Sequence, residues 1–209
     1  MRGMRAGAKI FIHAVILWLL AEPAFAGQAE DAGAALERGD YATALRLLLP
    51  LAEQGDADAQ IVLGTMYQEG RGVPEDYAQA EKWFCKAASQ GGAIAQFLLG
   101  NIYYEGPGEL QDYSQAAHWF RKAASQGFAL AQFSLGEMYA EGQGVAQDFV
   151  LALMWLNLAA DGRWLPDETS RKMVANGRDD IAAEMTPEQI AEAQRLTREW
   201  KPPVKTRKK

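Results

Sequence analysis

The 209-residue sequence predicts an all-α chain, an α-solenoid of stacked helix–turn–helix units with helical caps at both ends. Three observations carry this expectation. The first is a fixed period of 36 residues: Ala59-Gln60 recurs as Ala95-Gln96 and Ala131-Gln132, and Leu63-Gly64 recurs as Leu99-Gly100 and Leu135-Gly136. Tyr67, Tyr103 and Tyr139 align, as do Gly70, Gly106 and Gly142, then Gly72, Gly108 and Gly144. Asp76, Asp112 and Asp148 follow, then Trp83, Trp119 and Trp155, then the pairs Ala87-Ala88, Ala123-Ala124 and Ala159-Ala160. A period of this size marks stacked supersecondary units. The second observation is helical apolar spacing inside each unit. The third is cysteine usage: Cys85 is the single thiol, so no intrachain disulfide forms and stability must come from stacking.

The unit over residues 95–127 shows how a repeat builds itself. Ala95, Leu98, Leu99, Ile102 and Tyr103 follow the i, i+3, i+4, i+7, i+8 spacing of an amphipathic helix. Gly106 stands where a left-handed C-cap would end that helix. Gly108 lets the connection turn tightly. Asp112 offers an N-cap, with Gln115 three residues on in a capping-box arrangement. The second helix should bury Ala116, Trp119, Phe120 and Ala123 and stop at Gly127. Gly100 and Ala116 leave room for two helices to approach, and Trp119 fills the space between neighbours. A lone helix hairpin cannot cover its own apolar face, so stability is roughly a sum of neighbour interfaces.

Flanking segments extend the array. Residues 29–38 and the segment with Ala44, Leu45, Leu48, Leu51 and Ala52 read as a helix pair before the first clear repeat, with Pro50 expected to kink its second member. After the last repeat, residues 167–185 read as a helix weakened by Asn176-Gly177. Thr186, Pro187 and Gln189 announce another helix, whose apolar stripe is Ile190, Ala193, Leu196 and Trp200. The expected organisation is a leader at 1–26, an N-terminal capping helix pair at 27–56, repeats at 57–92, 93–128 and 129–162, C-terminal capping helices at 163–201, and a basic tail at 202–209.

The pattern Ala-Gln-x-x-Leu-Gly-x-x-Tyr-x-x-Gly-x-Gly-Val, then Asp-x-x-x-Ala-x-x-Trp-x-x-x-Ala-Ala, resembles the Sel-1-like repeat, a relative of the tetratricopeptide repeat with a longer glycine-rich connection. The resemblance covers about residues 57–161. Glu109 departs from Val73 and Val145, Leu158 departs from Lys86 and Lys122, and the closing Gly162 arrives one residue early. The resemblance implies a right-handed superhelix in which the first helix of each unit lines the concave face. The side of that helix left over by the core pattern is the expected ligand surface: Ile61, Thr65 and Gln68, then Phe97, Asn101 and Tyr104, then Phe133 and Glu137. The alternative for Ile61, Phe97 and Phe133 is packing into the next repeat. Related domains that clamp a C-terminal carboxylate use lysines or arginines on this face. This chain has none there, so that specificity is not implied.

Residues 1–26 read as a secretory leader. Arg2, Arg5 and Lys9 precede an apolar run over 10–21, and Ala24-Phe25-Ala26 is a small-x-small cleavage signal. That run is short of the ~20 residues that span a bilayer. A periplasmic or secreted chain beginning at Gly27 is expected, with a net charge near −8 once Arg2, Arg5, Lys9 and Glu22 are removed from a total of −6. An acidic body is a poor nucleic-acid binder. Lys205, Arg207, Lys208 and Lys209 put a basic tail on it, which suits weak electrostatic contact with an anionic surface.

No catalytic set is legible. His118 aligns with Lys82 and Met154 and reads as an exposed helical residue. One Cys and two His make no familiar zinc set. Gly70-Arg71-Gly72 lacks the Lys-Ser/Thr that would make it a phosphate loop. Glu69, Glu105 and Glu141 share one register, either as a ligand-facing acidic row or as solvated groups holding the glycine turn. Cys85 aligns with the polar Arg121 and Asn157 and should face partly outward. The expected function is a non-enzymatic, monomeric, exported scaffold that needs no metal or cofactor and binds a protein or peptide in the bacterial cell envelope. The alternatives are a cell-wall-directed enzyme, inhibitor or carbohydrate-binding protein, or a purely structural role.

Overall fold

The computed structural model describes residues 26–162, 165 and 167–202. The expected leader before Ala26 and the expected tail beyond Pro202 lie outside the described residues. Those residues form ten α-helices and no strand. The helices are α1 (Ala26–Glu37), α2 (Tyr41–Glu53), α3 (Ala57–Glu69), α4 (Tyr77–Ser89), α5 (Ala93–Glu105), α6 (Tyr113–Ser125), α7 (Ala129–Glu141), α8 (Phe149–Asp161), α9 (Glu168–Ala183) and α10 (Pro187–Glu199). No helix among them is long and apolar enough to cross a membrane. The chain is all-α and built as a solenoid of consecutive repeats.

Aspartates start most of these helices. The side chains of Asp40, Asp56, Asp76, Asp112, Asp148 and Asp167 each accept a bond from the backbone N–H three residues on, at 2.7–3.1 Å. This satisfies one of the donors that a helix N-terminus leaves open. Thr186 and Gln189 form a reciprocal capping box at α10. Helix α2 continues through Pro50 to Glu53.

The connection inside each repeat closes on a tyrosine. Backbone N–H groups of Asp76, Asp112 and Asp148 donate to the carbonyls of Tyr67, Tyr103 and Tyr139, at 2.8–2.9 Å. Gly70 and Gly142 cap α3 and α7 in the left-handed region, at φ of 66° and 69°. The next N–H, of Arg71 or Gln143, then returns to the carbonyl of Met66 or Met138. Gly106 does not follow: its φ and ψ are −57° and 144°, so the expected left-handed cap is absent. The reason is Pro107. A proline drives the residue before it into extended geometry, and it has no N–H to make the returning bond. A 3-10 turn at Gly108–Leu110 takes its place.

The chain divides into two compact units, one of residues up to 102 together with 106–110, the other of 103–105 together with residues from 111 on. In the first, α2 packs on α1 and α3, and α3 packs on α4. Its core joins Ala32, Ala35, Ala44, Leu48, Leu51, Val62, Leu63, Met66 and Trp83. A Cβ at Gly64 would lie 2.5 Å from Phe84 Cε1, so this glycine lets α3 and α4 touch. The loop glycine Gly72 likewise abuts α2, where a Cβ would meet Tyr41 Cβ at 2.6 Å. Gln60, which the alignment marks only as a recurring letter, is a buried clip. Its amide donates to the carbonyl of Ala52 at 2.9 Å and its oxygen accepts from Gln90 at 3.1 Å. One side chain thus joins the first helix of one repeat to the end of the preceding helix.

The second unit repeats this scheme. Helix α7 packs on α6 and α8. A Cβ at Gly136 would lie 2.9 Å from Leu156 Cγ, and one at Gly144 would collide with the backbone of Tyr113. Gln132 donates to the carbonyl of Ala124 at 3.2 Å. Ala116, Phe120 and Ala123 are buried as expected, while Trp119 is half-buried, with the Lys122 ammonium 4.2 Å from its ring centroid. The departure at Leu158 has a structural reason at the end of the array. Where Lys86 and Lys122 lie over the tryptophan three residues before them, Leu158 replaces the cation. Trp200, at the end of α10, packs edge-on against Trp155 at 6.1 Å.

Two glycines with similar backbones separate strain from crowding. Gly72 and Gly91 have φ of 74° and 90°, but only Gly72 has a neighbour within 4 Å of a would-be Cβ. Alanine in the left-handed region costs about 1–2 kcal/mol at either site. At Gly72 the contact with Tyr41 should add about 1–3 kcal/mol of overpacking. Urea unfolding of Gly72→Ala and Gly91→Ala checks this, and the first is expected to be clearly the less stable.

Candidate functional site

The candidate ligand positions sit on α3, α5 and α7. Ile61, Phe97 and Phe133 follow the packing alternative, and Thr65 and Asn101 correct the expectation that they face outward. Ile61, Phe97 and Phe133 are each only 4% exposed, and Thr65 and Asn101 are buried beside them. Residues 59–66 of α3, 95–102 of α5 and 129–136 of α7 are buried without a break. Eight consecutive buried residues span more than two turns at 3.6 residues per turn, so no face of those turns is left over. The Thr65 hydroxyl is satisfied internally, donating to the carbonyl of Ile61 at 3.0 Å. Gln68, Tyr104 and Glu137 are half-buried, and Gln68 and Tyr104 remain the accessible members of the set.

Gln68 belongs to the first unit, near the C-terminal end of α3, next to Glu69. The Glu69 carboxylate pairs with Arg71 at 2.7 Å, and the Arg71 guanidinium lies 5.7 Å from the Tyr41 ring centroid. Of the two readings of the acidic register, this position fits the turn-holding one.

Tyr104 and Glu137 belong to the second unit. Tyr104 packs edge-on against Tyr113 at 5.4 Å and tilted against Phe120 at 6.2 Å. Burial pushes its phenol up to about 12, and the negative charge of Glu141 adds to the effect. The hydroxyl therefore remains a neutral donor and acceptor near neutral pH. Glu137 titrates above the ordinary carboxylate range, because burial penalises its charge and Glu141 and Asp180 lie close enough to repel it. Asp180 comes from α9. A Cβ at Gly177 of that helix would lie 3.2 Å from Glu137 Oε1 and 3.4 Å from the Phe133 ring. The third-repeat ligand positions are therefore covered by the chain's own α9. Sequence reasoning assigned this helix only to capping. The signal that would have found it is the small Gly177 in the middle of an otherwise polar helix, a place where backbone approaches a neighbour closely.

His118 is exposed, as its alignment suggests, and stacks edge-on against Trp119 at 5.3 Å. Partial desolvation, with Lys122 and Arg121 nearby, lowers its pKa. Cys85 is half-buried. Among the described residues, no group of three or more His, Cys, Asp or Glu side chains is placed to hold a metal ion.

Paired helices of constant length, closed by a glycine-rich turn and clipped by a buried glutamine, define a class: helical-repeat scaffolds. The Sel1 repeat model matches residues 25–56, 57–92, 93–128 and 129–163. The chain belongs to the Sel1 repeat family. The helix pair α1–α2, expected as a cap, is itself matched as a repeat. Solved structures agree. A protective antigen present in uropathogenic Escherichia coli strains and displaying an SLR fold is 30% identical, with a TM-score of 0.52. That match covers 74% of this chain and 40% of the antigen, so the chain spans well under half of that protein's length. A Sel1 repeat protein from Oxalobacter formigenes is 36% identical, with a TM-score of 0.52, covering 63% of this chain and 97% of the other. No curated protein matches the chain.

Glu137 gives a pH test with a definite sign. Its raised folded-state pKa means the folded chain holds that proton more tightly than the unfolded chain. The associated stability is present at acid pH, below the unfolded value, and is lost as pH rises through the folded value. Glu137→Gln keeps the shape of the neutral form. Its melting temperature should exceed that of the parent at about pH 7.5, with the gap closing by about pH 4. Parallel melting curves at both pH values would contradict the burial of this carboxylate.

Proposed function

We propose that this chain is an exported, non-enzymatic scaffold that binds a protein or peptide partner in the bacterial cell envelope. Sel1 repeat proteins are helical-repeat scaffolds for protein–protein interaction, and the four matched repeats are the observation that carries the proposal. A solenoid presents surface from each repeat and adds binding area by adding units. The leader-like residues 1–26 support export, and the single cysteine is compatible with an oxidising compartment. Gln68 in the first unit offers an amide and Tyr104 in the second offers an aromatic ring, residue types suited to peptide backbone and apolar anchors. The basic end, Lys205 to Lys209, adds a weak, salt-sensitive attraction to anionic surfaces.

The test has two parts. Fractionation of cells producing the full chain should place it outside the cytoplasm, with an N-terminus at Gly27. The mature chain, used as bait in envelope extract, should retain a partner that then binds saturably in purified form. Gln68→Ala and Tyr104→Ala should weaken that binding about tenfold or more, the ~1.4 kcal/mol expected of an anchor residue. Retention in the cytoplasm would overturn export. Substrate turnover that survives repurification in a hydrolase screen would overturn the scaffold reading.

A further inference from the structure

We propose that the exposed face of α6 docks an acidic peptide segment of a protein partner, through His118, Trp119, Arg121 and Lys122. This rests on the scaffold reading and names the partner's chemistry. The first observation is charge. The chain carries a net charge of −6, yet the 13 residues of α6 include no Asp or Glu. His118, Arg121 and Lys122 are all exposed. At spacings of three and four they are neighbours on one side of the helix. A carboxylate-rich segment is repelled by an acidic chain as a whole and attracted to this face.

The second observation is how the two cations are held. Elsewhere cations pair with carboxylates: Arg71 with Glu69, Arg171 and Lys172 with Glu168, and Arg195 with Glu192 and Glu199. On α6 aromatic rings take that place. The Lys122 ammonium lies 4.2 Å from the Trp119 ring centroid. The Arg121 guanidinium lies 6.0 Å from the Tyr139 ring centroid, and its Nη2 donates to the Tyr139 hydroxyl at 3.0 Å. A ring positions a cation without cancelling its charge. Partial desolvation lowers the pKa of His118, and Lys122 and Arg121 lower it further, with no carboxylate among the described residues opposing them. Both cations are thus ordered before an anion arrives, which leaves less side-chain freedom to lose on binding. The guanidinium fork of Arg121 suits a carboxylate in particular.

The third observation is that the other repeats do not share this face. The 36-residue register puts Lys82, Cys85 and Lys86 of α4 at the positions of His118, Arg121 and Lys122, and there Glu81 stands where α6 has Ala117. On α8 the same positions are Met154, Asn157 and Leu158, beside a tryptophan that Trp200 packs against. In α6 alone do two ordered cations flank a half-buried tryptophan that offers an apolar contact. The fitting occupant is a segment with acidic residues on either side of an apolar one.

Fluorescence anisotropy with a dye-labelled peptide of repeated Asp-Glu-Leu, added to the full chain, tests the face. The probe is synthetic, so its failure removes the acidic partner and leaves the scaffold reading to the capture experiment. The parent should bind it saturably and should not bind the matching Asn-Gln-Leu peptide. Arg121→Gln with Lys122→Gln should weaken binding about tenfold. Arg121→Gln alone should weaken it by a smaller factor with the melting temperature of the parent, which keeps the test valid if the double variant folds poorly. Arg171→Gln with Lys172→Gln, on α9, should change nothing. Binding should also fade as salt shortens the Debye length from ~10 Å at 0.1 M to ~3 Å at 1 M. Equal binding by the parent and both α6 variants would assign the attraction to the basic end, Lys205 to Lys209, and overturn the proposal. Sedimentation of the parent with phosphatidylglycerol vesicles, lost in the α6 variants and unaccompanied by peptide binding, would make the face a lipid contact instead. Self-association of the parent that the α6 variants abolish would give the face to a second copy of the chain.

Discussion

Two helices touch because a glycine on the first lies under a large side chain on the second. A Cβ at Gly64 would stand 2.5 Å from the Phe84 ring, and one at Gly136 would stand 2.9 Å from Leu156. Nearly everything else in the repeat follows from that contact. With the helices this close, the connection must leave the first helix, turn and return within a fixed distance. The bond from the Asp76, Asp112 or Asp148 N–H to a tyrosine carbonyl records that closure. The same aspartate then starts the second helix with its side chain. One residue thus ends the turn with its backbone and opens the next helix with its carboxylate. This is why the period is held so strictly.

A closed hairpin still has apolar surface to cover. Within the first unit, α2 covers one side of α3 and α4 covers the other. Within the second, α6 and α8 do the same for α7, while α9 and α10 cover α8. The first two turns of α3, α5 and α7 are consequently buried all round, while α4 and α6 keep an exposed side. The outer helices keep a charged face: Lys86 and Lys122 shield the tryptophans beneath them and remain exposed. At the last repeat the shield is exchanged for Leu158 and Trp200, which turns an outer face into an interface with α10.

This division explains which parts of the structure were legible in the sequence. Helix limits were, because caps are local: an aspartate, threonine or glycine acts within one turn. The fold class was, because a period is independent of any single residue. The turn at Gly106 was misread because one neighbour, Pro107, outweighs the pattern of the other two repeats. Thr65 and Asn101 were read as outward-facing, and the choice for Ile61, Phe97 and Phe133 stayed open, for a deeper reason. Periodicity identifies a solvent face only where a helix has one, and α3, α5 and α7 have none along their first two turns. Ile61, Thr65, Phe97, Asn101 and Phe133 look like a leftover stripe only if a single neighbour is assumed. The role of Gln60 and Gln132 was missed because a polar letter inside an apolar helix does not say which carbonyl it will reach. The contact of α9 with α7 was missed because Gly177, its one local sign, does not say which distant helix it approaches.

The most direct test of the central contact is a double-mutant cycle of Gly64→Ala and Phe84→Ala, with stabilities from urea unfolding. If the glycine exists to admit the ring, Gly64→Ala in the parent should cost about 1–3 kcal/mol. In the Phe84→Ala background, where the side chain is gone, most of that cost should vanish, giving a coupling of about 1 kcal/mol or more. Additive effects would contradict the account. So would a gain from Gly64→Ala in the parent approaching the ~1 kcal/mol that helix propensity alone provides.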